Sequence, residues 1–499
     1  MTVHVVPAPA ALVELAGPPL LLGAGTRLLT CEAGLPAATL LAEVLARATG
    51  HALEVEVEVA GPVPGALRLE LDDDLPVPVG GAAGHAPGLA PRAEEAYRLA
   101  VAADGLVLHA RGLLGLLRGV ATVRQLVELT GAGAWIPAVQ VHDAPHHGWR
   151  GLSVDVARHF FGPADLEAVV DLLWLYKLDV LHLHLTDDQG WRIDLPSRPE
   201  LVARSSAGAV DGDPGGAFDA TQWAALVDYA AARGVVVVPE IDVPGHVNAA
   251  LHACGDLVPG GEPTAQYEGI DVGFSQLTAG LPATSAFLGE VFTDLAAMTP
   301  GPYLHVGGDE VLTMAHEEYA DLVGQAVEAV RDTGKLVVGW QEAATTAPAP
   351  GTVVQVWDLR QDPAPLVAAA DGGALVLMSP ATRAYLDLKY DATTPLGLEW
   401  AGHVDVRDAY DWDPATVLPA VPATSVVGVE AAVFTETLRT RDDLMWMLLP
   451  RLAALAEVGW TAPQARAFDD FRRRLARHPA LWEADGLRWH PSAQIDWVG

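Results

Sequence analysis

The chain has 499 residues, of which 51% are hydrophobic and 19% are charged. This length exceeds what one hydrophobic core usually supports, so two domains are expected, and the composition excludes a globally disordered protein. The formal net charge of -34 disfavours nucleic acid and anionic membrane surfaces as partners and favours a neutral or cationic small molecule.

The compartment and the redox state are predicted from small features of the sequence. Residues 1–7 lack the basic and apolar regions of a secretory signal, and no uncharged apolar run is long enough to span a membrane. A cytoplasmic location is therefore expected, with secretion of a processed form left open. Cys31 and Cys254 lie far apart and form no CxxC motif, so we expect neither a disulfide framework nor a zinc site.

Residues 1–140 are predicted to form a small α+β domain. Hydrophobic and polar residues alternate along its strands, and Asp104-Gly105 is typical of a hairpin turn between two of them. A run with helical spacing of apolar residues follows the hairpin. The predicted strands are 54–59, 66–71, 97–101 and 106–108, and the predicted helix is 116–129.

Residues 141–499 show a different pattern, in which short apolar runs are separated by helical segments. Eight runs with helices between them predict an α/β fold, a (β/α)8 TIM barrel, with its active site at the carboxyl ends of the strands. The predicted barrel strands are 151–156, 180–185, 235–241, 303–306, 336–338, 353–356, 375–378 and 426–429, and the predicted helices are 163–176, 220–233, 317–333 and 442–458.

Two adjacent acids, Asp309 and Glu310, follow a Gly-Gly pair directly after the fourth barrel strand. Side chains at neighbouring positions usually point apart, so this pair suggests a reaction in which a carboxylic acid and a carboxylate act at different points of one substrate. The alternative is a turn followed by a solvated helix N-terminus, where acidic residues are favoured.

Polar residues cluster at the ends of the first four predicted barrel strands, and buried polar groups are costly unless they are satisfied or used. The later strands add aromatic and charged residues typical of a carbohydrate pocket, in which ring faces pack on the sugar and charged groups hold its hydroxyls. The first set is Asp155, Arg158, His159, His182, His184, residues 186–192, Glu240, Asp242, His246, His305, Asp309 and Glu310; the second is Trp340, Trp357, Tyr385 and Phe434, with Arg158, Asp387 and Glu436.

His182 and His184 favour a competing hypothesis, a metal-dependent barrel hydrolase. Two histidines two positions apart on a strand share a face and can both ligate a metal, with Asp187, His246 or His305 as further ligands. Tryptophans at the strand ends suit a sugar ring better than a hydrated metal, so histidines satisfied within the barrel core are the preferred interpretation.

The ordered set of motifs through the predicted barrel resembles the β-N-acetylhexosaminidases of glycoside hydrolase family 20. Residues 119–126 are similar to part of the small α+β domain that precedes the family's barrel. The matching barrel motifs are Arg150-Gly151 with Asp155-x-x-Arg158-His159-Phe160, His182-x-His184-Leu185-x-Asp187-Asp188-Gln189-Gly190-Trp191-Arg192, Glu240-x-Asp242-x-Pro244-Gly245-His246, His305-x-Gly307-Gly308-Asp309-Glu310, Gly339-Trp340-Gln341-Glu342, Tyr385-Leu386-Asp387 and Glu436.

The resemblance implies a retaining exo-hydrolase that releases terminal GlcNAc or GalNAc from a small carbohydrate substrate, with the substrate's own 2-acetamido group as nucleophile. Glu310 would be the general acid and base, and Asp309 would orient the acetamido group and stabilise an oxazolinium-like intermediate. No cofactor and no metal are implied, and the oligomeric state stays open. A non-catalytic sugar-binding relative is disfavoured by the intact acid pair and Tyr385.

The family's binding roles are carried over to further positions as implications of the resemblance. Phe434 departs from the pattern, because the family most often has Trp there, so the platform beneath the sugar should be smaller. Arg158 would hold the 3- and 4-hydroxyls; Asp387 and Glu436 the 4- and 6-hydroxyls; Tyr385 the acetamido carbonyl; Trp340 and Trp357 the methyl group; Trp400 the leaving sugar; and Asp187 and His246 would keep Glu310 suited to acid work.

Overall fold

The computed structural model describes residues 3–58, 61, 63–78, 83–130 and 133–498. Within these residues an N-terminal α+β domain precedes a closed barrel of parallel strands, which confirms the predicted fold class. No helix in these ranges combines the length and the apolar character needed to cross a membrane.

The N-terminal domain is built on a mixed sheet with the strand order β1-β10-β6-β7-β5-β3-β4, and a smaller sheet with the order β2-β9-β8. Helix α2 packs against this larger sheet and against α1. The strands are β1 (Ala11–Glu14), β2 (Leu20–Leu22), β3 (Leu28–Thr30), β4 (Val55–Val57), β5 (Ala66–Leu71), β6 (Tyr97–Ala102), β7 (Gly105–Ala110), β8 (Glu128–Thr130), β9 (Gly133–Ile136) and β10 (Val139–Asp143), and the helices are α1 (Leu35–Thr49) and α2 (Leu113–Leu126).

The barrel closes through parallel pairing of its last strand with its first. Most of its strand residues are buried, because the core fills one side and helices cover the other, which explains why the strands are short apolar runs. The strands are β11 (Trp149–Asp155), β12 (Val180–His184), β13 (Val236–Glu240), β14 (Tyr303–His305), β15 (Leu336–Trp340), β16 (Val353–Val356), β17 (Leu375–Met378) and β18 (Val426–Val433).

Helices and short turns connect these strands and extend beyond the last one. The helices are α3 (Pro163–Leu175), α4 (Pro199–Ser205), α5 (Ala220–Ala231), α6 (Asn248–Ala253), α7 (Pro282–Met298), α8 (His316–Asp332), α9 (Ala364–Asp371), α10 (Ala381–Ala384), α11 (Val406–Tyr410), α12 (Arg441–Leu448), α13 (Arg451–Trp460), α14 (Phe468–Leu475) and α15 (Pro479–Ala484).

Several predicted elements differ from the structure in their bounds; β18, for example, extends four residues beyond the strand predicted over 426–429. Three further differences have identifiable features. The single helix predicted over 442–458 is two helices, α12 and α13, because Pro450 between them has no N–H to donate and its ring obstructs a continuous helix. The helix predicted over 116–129 ends at Leu126, and β8 begins two residues later. The strand predicted over 54–59 is shorter, and residue 59 lies outside the described residues.

The two domains are joined by buried polar contacts as well as by apolar packing. The predicted boundary after residue 140 falls inside β10, which pairs with β1 and β6 of the N-terminal sheet. The Gln125 Nε2 group on α2 donates to the carbonyls of Val6 (2.8 Å) and Leu175 (2.7 Å), and the latter belongs to barrel helix α3. The N-terminal domain is therefore fastened to the barrel wall.

Candidate active site

A cavity of about 350 Å³ lies at the carboxyl ends of the barrel strands. This is the end at which the TIM-barrel fold builds its sites from the loops that follow the strands. Its walls combine carboxylates, basic groups and aromatic rings. The lining residues are Arg158, His184, Asp187, His246, Ile270, Val272, Asp309, Glu310, Trp357, Arg360, Tyr385, Asp387, Leu398, Trp400, Phe434 and Glu436.

The backbone after β14 explains how two adjacent acids reach one cavity. Gly307, Gly308 and Glu310 have φ values of 69°, 107° and 50°, so the chain turns through the left-handed region instead of continuing as a strand. A Cβ atom on Gly307 would overlap the Asp242 carboxylate, and the Gly308 N–H donates to Asp242 Oδ1 at 2.9 Å. Glycine at 307 thus permits the close approach that anchors the turn.

Glu310 lies at the end of a chain of charged side chains. His246 Nε2 is 3.6 Å from Glu310 Oε2 and 3.9 Å from Asp309 Oδ2, and its Nδ1 is 3.2 Å from Asp187 Oδ1. Burial opposes a charged imidazole, but Asp187 and Asp309 outweigh it and raise the pKa of His246 well above its usual value. The surroundings of His246 therefore favour its charged form, which lies between Asp187 and the two catalytic candidates.

Asp309 forms a carboxyl pair with Asp242, which follows β13. Burial raises the pKa of both groups. The charge of Asp309 raises the pKa of Asp242 further, whereas the hydrogen bond with Asp242 lowers that of Asp309 and the charges of Glu310 and Glu240 raise it. Two close buried carboxyls cannot both ionise easily, so one proton is shared between them. The pKa of Asp242 is raised well above its usual value, and the hydrogen bond from Asp242 favours the ionised form of Asp309, so we expect Asp242 to hold the proton and Asp309 to be the carboxylate.

Aromatic rings form the opposite wall. The Tyr385 ring lies 5.4 Å from that of Phe434 and 5.9 Å from that of Trp400, and the Trp357 ring lies 5.9 Å from that of Trp400. Burial, reinforced by the charge of Asp309, raises the pKa of Tyr385 well above 10, so its hydroxyl stays a hydrogen-bond donor. Trp400 is 44% exposed at the mouth, where it can stack on a group that leaves the cavity.

Trp340 does not line the cavity, although the sequence predicts it as a wall. Only 1% of it is exposed, its indole N–H donates to Glu240 Oε1 at 2.7 Å, and its ring lies 6.5 Å from the ring of Phe434. It therefore supports the floor from below. Trp357 does line the cavity, and its indole N–H donates to Glu342 Oε2 at 3.1 Å.

A polar end faces the aromatic wall. Arg158 Nη2 is 2.8 Å from Asp187 Oδ2, and the Arg158 guanidinium carbon lies 5.4 Å from the centre of the Phe434 ring. Burial and the neighbouring Glu436 raise the pKa of Asp387 to about 8. Arg158 Nε and Glu436 Oε2 are buried and have no hydrogen-bond partner among the described residues. These groups can exchange hydrogen bonds with hydroxyls of a ligand.

His184 lines the cavity and His182 lies deeper in the barrel, and each contacts carboxylates through both ring nitrogens. His182 lies 2.9 Å from Glu430 and 3.0 Å from Glu240. His184 lies 2.6 Å from Glu240 and 2.8 Å from Asp187. Such contacts are those of hydrogen-bonded ion pairs, which supports the interpretation as satisfied core histidines over the metal-dependent alternative.

The structure brings Asp309, Glu310 and all the predicted binding residues except Trp340 to the surface of one cavity. Sequence reasoning did not identify Ile270, Val272, Arg360 or Leu398 as lining residues, because they lie in irregular loops without motif or periodicity. It also did not foresee the pairing of Asp242 with Asp309. The Glu240-x-Asp242 motif, one of those on which the family resemblance is based, could have identified Asp242 as a site residue, because it places that acid directly after a barrel strand.

Comparison with known proteins assigns the family. Residues 147–463 match the sequence model "Glycosyl hydrolase family 20, catalytic domain", and residues 2–144 match "Glycosyl hydrolase family 20, domain 2". A β-N-acetylhexosaminidase of Cellulomonas fimi is 56% identical over 500 residues, which cover 100% of this chain and 98% of that protein. A β-hexosaminidase of Akkermansia muciniphila is 33% identical over 77% of this chain and 83% of its own length.

Solved structures agree with the sequence relatives. The Streptomyces plicatus N-acetyl-β-hexosaminidase in complex with Thio-NAglucal has a TM-score of 0.90 at 38% identity, with 99% of this chain and 98% of that chain covered. A mutant of the same enzyme, solved with the product GlcNAc, matches equally well, with a TM-score of 0.90. The chain therefore belongs to glycosyl hydrolase family 20 and is a glycoside hydrolase of the β-N-acetylhexosaminidase class.

Proposed function

We propose that this enzyme removes terminal non-reducing N-acetylhexosamine residues, GlcNAc or GalNAc, by retaining, substrate-assisted hydrolysis. The observation that carries the proposal is the convergence of Asp309, Glu310 and Tyr385 on one cavity closed at its far end by Arg158 and Glu436. A cavity of about 350 Å³ is at the small end of ligand sites, which span about 300 to 1,000 Å³, and this favours one terminal sugar over a chain.

Glu310 acts on the leaving group in this mechanism. In the first step the acetamido oxygen of the substrate attacks C1, the bond from C1 to the leaving oxygen breaks, and Glu310 gives its proton to that oxygen. In the second step water attacks C1, the bond from C1 to the acetamido oxygen breaks and restores the acetamido group, and Glu310 takes the proton from the water. Two displacements at C1 retain the β configuration. Glu310 lies nearer the mouth than Asp309, with 30% of its side chain exposed against 16%, which supports contact with the leaving group and with water.

Asp309 acts on the acetamido group. Its carboxylate accepts the amide N–H and stabilises the positive charge of the oxazolinium-like intermediate, while the Tyr385 hydroxyl donates to the acetamido oxygen and aligns it for attack. Because Asp309 serves the amide and Glu310 serves the leaving group, the two acids need not flank C1. Adjacent positions on one turn therefore suffice.

Arg158, Asp387 and Glu436 bind the hydroxyls at the far side of the ring. The buried polar atoms that have no partner in the described residues, Arg158 Nε and Glu436 Oε2, support this role. Trp357 encloses the acetamido methyl group, Phe434 forms the floor below the sugar with Trp340 behind it, and Trp400 stacks on the leaving sugar. Asp187 and His246 hold Glu310 in place.

A panel of 4-nitrophenyl β-glycosides tests the proposal: the N-acetylglucosaminide, the N-acetylgalactosaminide and the plain glucoside. We expect hydrolysis of the two N-acetyl substrates and inhibition by N-acetylglucosamine thiazoline, which resembles the cyclised intermediate. Preference for the plain glucoside would contradict the proposal, because that substrate has no internal nucleophile. Loss of activity on chelation would instead favour the metal-dependent alternative at His182 and His184.

A further inference from the structure

Glu240 is a buried carboxylate that the proposed mechanism leaves without a role. It ends β13, and 0% of its surface is exposed. Its Oε1 accepts the Trp340 indole N–H at 2.7 Å and lies 3.1 Å from His305 Nδ1. Its Oε2 lies 2.6 Å from His184 Nδ1 and 3.0 Å from His182 Nε2. One carboxylate thus connects β13 with β12, β14 and β15 directly beneath the cavity.

The Oε2 branch leads to the general acid. His184 Nε2 lies 2.8 Å from Asp187 Oδ2, Asp187 Oδ1 lies 3.2 Å from His246 Nδ1, and His246 Nε2 lies 3.6 Å from Glu310 Oε2. Carboxylates and imidazoles alternate along the whole path. Each imidazole ring on this path is oriented by the carboxylate on its side away from Glu310. Glu240 is the first carboxylate of the path and orients His184.

The charges along this path are consistent with its geometry. Burial would keep the two imidazoles neutral, but the Glu240 carboxylate raises the pKa of His182 to about 9 and that of His184 well above its usual value. Burial also opposes the charge of Glu240, yet the facing histidines lower its pKa well below its usual value. These shifts favour the ionised form of Glu240 together with the charged forms of the two histidines.

We propose that Glu240 is a positioning residue for the reaction: through His184, Asp187 and His246 it holds Glu310 at the leaving oxygen, and through Trp340 it supports the cavity floor. It is fully buried and does not line the cavity, so it acts through these neighbours. The inference rests on the proposed function, because it assumes that Glu310 is the general acid. Glu240 would then contribute to catalysis from beneath the cavity, where it is in contact with the cavity-lining His184.

The substitution Glu240→Gln distinguishes the contact of Oε1 with Trp340 from the contacts of Oε2 with His182 and His184. The glutamine oxygen can still accept the Trp340 N–H, whereas its amide nitrogen replaces the anionic oxygen that holds His182 and His184. A displaced Glu310 slows glycosides with poor leaving groups far more than activated ones. We expect kcat on a β-1,4-linked GlcNAc disaccharide to fall about thirtyfold, kcat on the 4-nitrophenyl glycoside to fall less than about fivefold, and KM to change less than about twofold.

Glu430→Gln is the matched control. Glu430 is equally buried and lies 2.9 Å from His182 Nδ1, but it does not contact His184. We expect this variant to change both substrates by the same factor. His184→Gln interrupts the path one step nearer to Glu310, so it should reproduce the selective loss and decides the question if Glu240→Gln does not fold.

Equal losses on the two substrates in Glu240→Gln or His184→Gln, or the same selective loss in Glu430→Gln, would overturn the inference. A wild-type enzyme that hydrolyses neither glycoside would instead contradict the proposed function itself. Histidine ¹⁵N spectra give a second readout, because Glu240→Gln removes a charge that raises the pKa of both His182 and His184, so the pH at which these two imidazoles lose their second proton should fall. An unchanged titration of these two histidines in the variant would also count against the positioning role of Glu240.

Discussion

At the scale of single residues, the turn at 307–310 resolves the difficulty raised by two adjacent acids. Side chains at neighbouring positions point apart on a regular strand, yet the positive φ values of Gly307, Gly308 and Glu310 turn the backbone so that both acids line one cavity. Their surroundings also differ. Asp309 pairs with Asp242, whereas Glu310 lies against His246 near the mouth. The two carboxyl groups therefore have different surroundings and different proposed roles.

Glu310→Gln tests the acid role at this scale. Glutamine keeps the shape but cannot give a proton, so kcat on a GlcNAc disaccharide should fall about a thousandfold, while an activated aryl glycoside loses far less. Steady-state kinetics on both substrates measure this. Glu317→Gln, a change in the first turn of α8 away from the cavity, is the control and should behave as the wild type. Equal losses on both substrates in Glu310→Gln would contradict the role.

The shared proton of Asp309 and Asp242 gives a second prediction. Asp309 must be ionised to accept the amide N–H, and its pKa is raised above 3.8, so kcat/KM should fall as the pH is lowered through a value higher than 3.8. Asn can replace a protonated Asp242 but not an ionised Asp309. Asp242→Asn should therefore stay within about fivefold of the wild type, and Asp309→Asn should lose about a hundredfold. The reverse order would show that the proton resides on Asp309.

At the scale of elements, the barrel strands are predictable because burial on both faces makes them continuous apolar runs. The strands predicted at 353–356 and 375–378 match β16 and β17 residue for residue, whereas the helix predicted over 442–458 is wrong because local apolar spacing outweighed the stop signal of Pro450. The loops are a different case. Ile270, Val272 and Arg360 reach the cavity through long-range folding of irregular segments, and no local pattern encodes that.

Gly307→Ala tests the turn as an element. Alanine is strained at a φ of 69°, and its Cβ would displace the Asp242 carboxylate that anchors the turn. We expect activity to fall at least about a hundredfold and the free energy of unfolding to drop by about 1 to 3 kcal/mol. Chemical denaturation and kinetics measure the two effects.

Gly324→Ala is the control for that substitution. Gly324 lies inside α8, and a Cβ there meets no atom within 4 Å. Alanine in a helix interior should raise the free energy of unfolding by about 0.5 to 1 kcal/mol and leave kinetics unchanged. Wild-type activity in Gly307→Ala would show that the left-handed turn is not needed to place Asp309 and Glu310.

At the scale of the whole molecule, the N-terminal domain packs against the outside of the barrel through α2 and α3, and none of its described residues lines the cavity. Composition and motifs predicted two domains and the family, but not the contacts between the domains, because a buried glutamine on one helix gives no sign of its distant partners. Gln125 is such a residue. It is 7% exposed and bonds to both Val6 and the barrel carbonyl of Leu175.

Gln125→Leu tests this connection. The substitution leaves the buried Val6 N–H and the Leu175 carbonyl without that partner, so the free energy of unfolding should fall by about 1 to 3 kcal/mol while KM stays unchanged. Gln140→Leu, on an exposed position of β10, is the control and should stay within about 0.5 kcal/mol of the wild type. A change of KM in Gln125→Leu would mean that the N-terminal domain shapes the cavity.

The most direct test of the central claim is a series of 4-nitrophenyl glucosaminides whose N-acetyl methyl carries zero, one, two or three fluorines. Fluorine withdraws electrons from the amide oxygen, so if that oxygen attacks C1, kcat/KM should fall at each step, by about a hundredfold or more over the series. A rate that does not change across the series would contradict substrate assistance and would require a nucleophile supplied by the protein or by water.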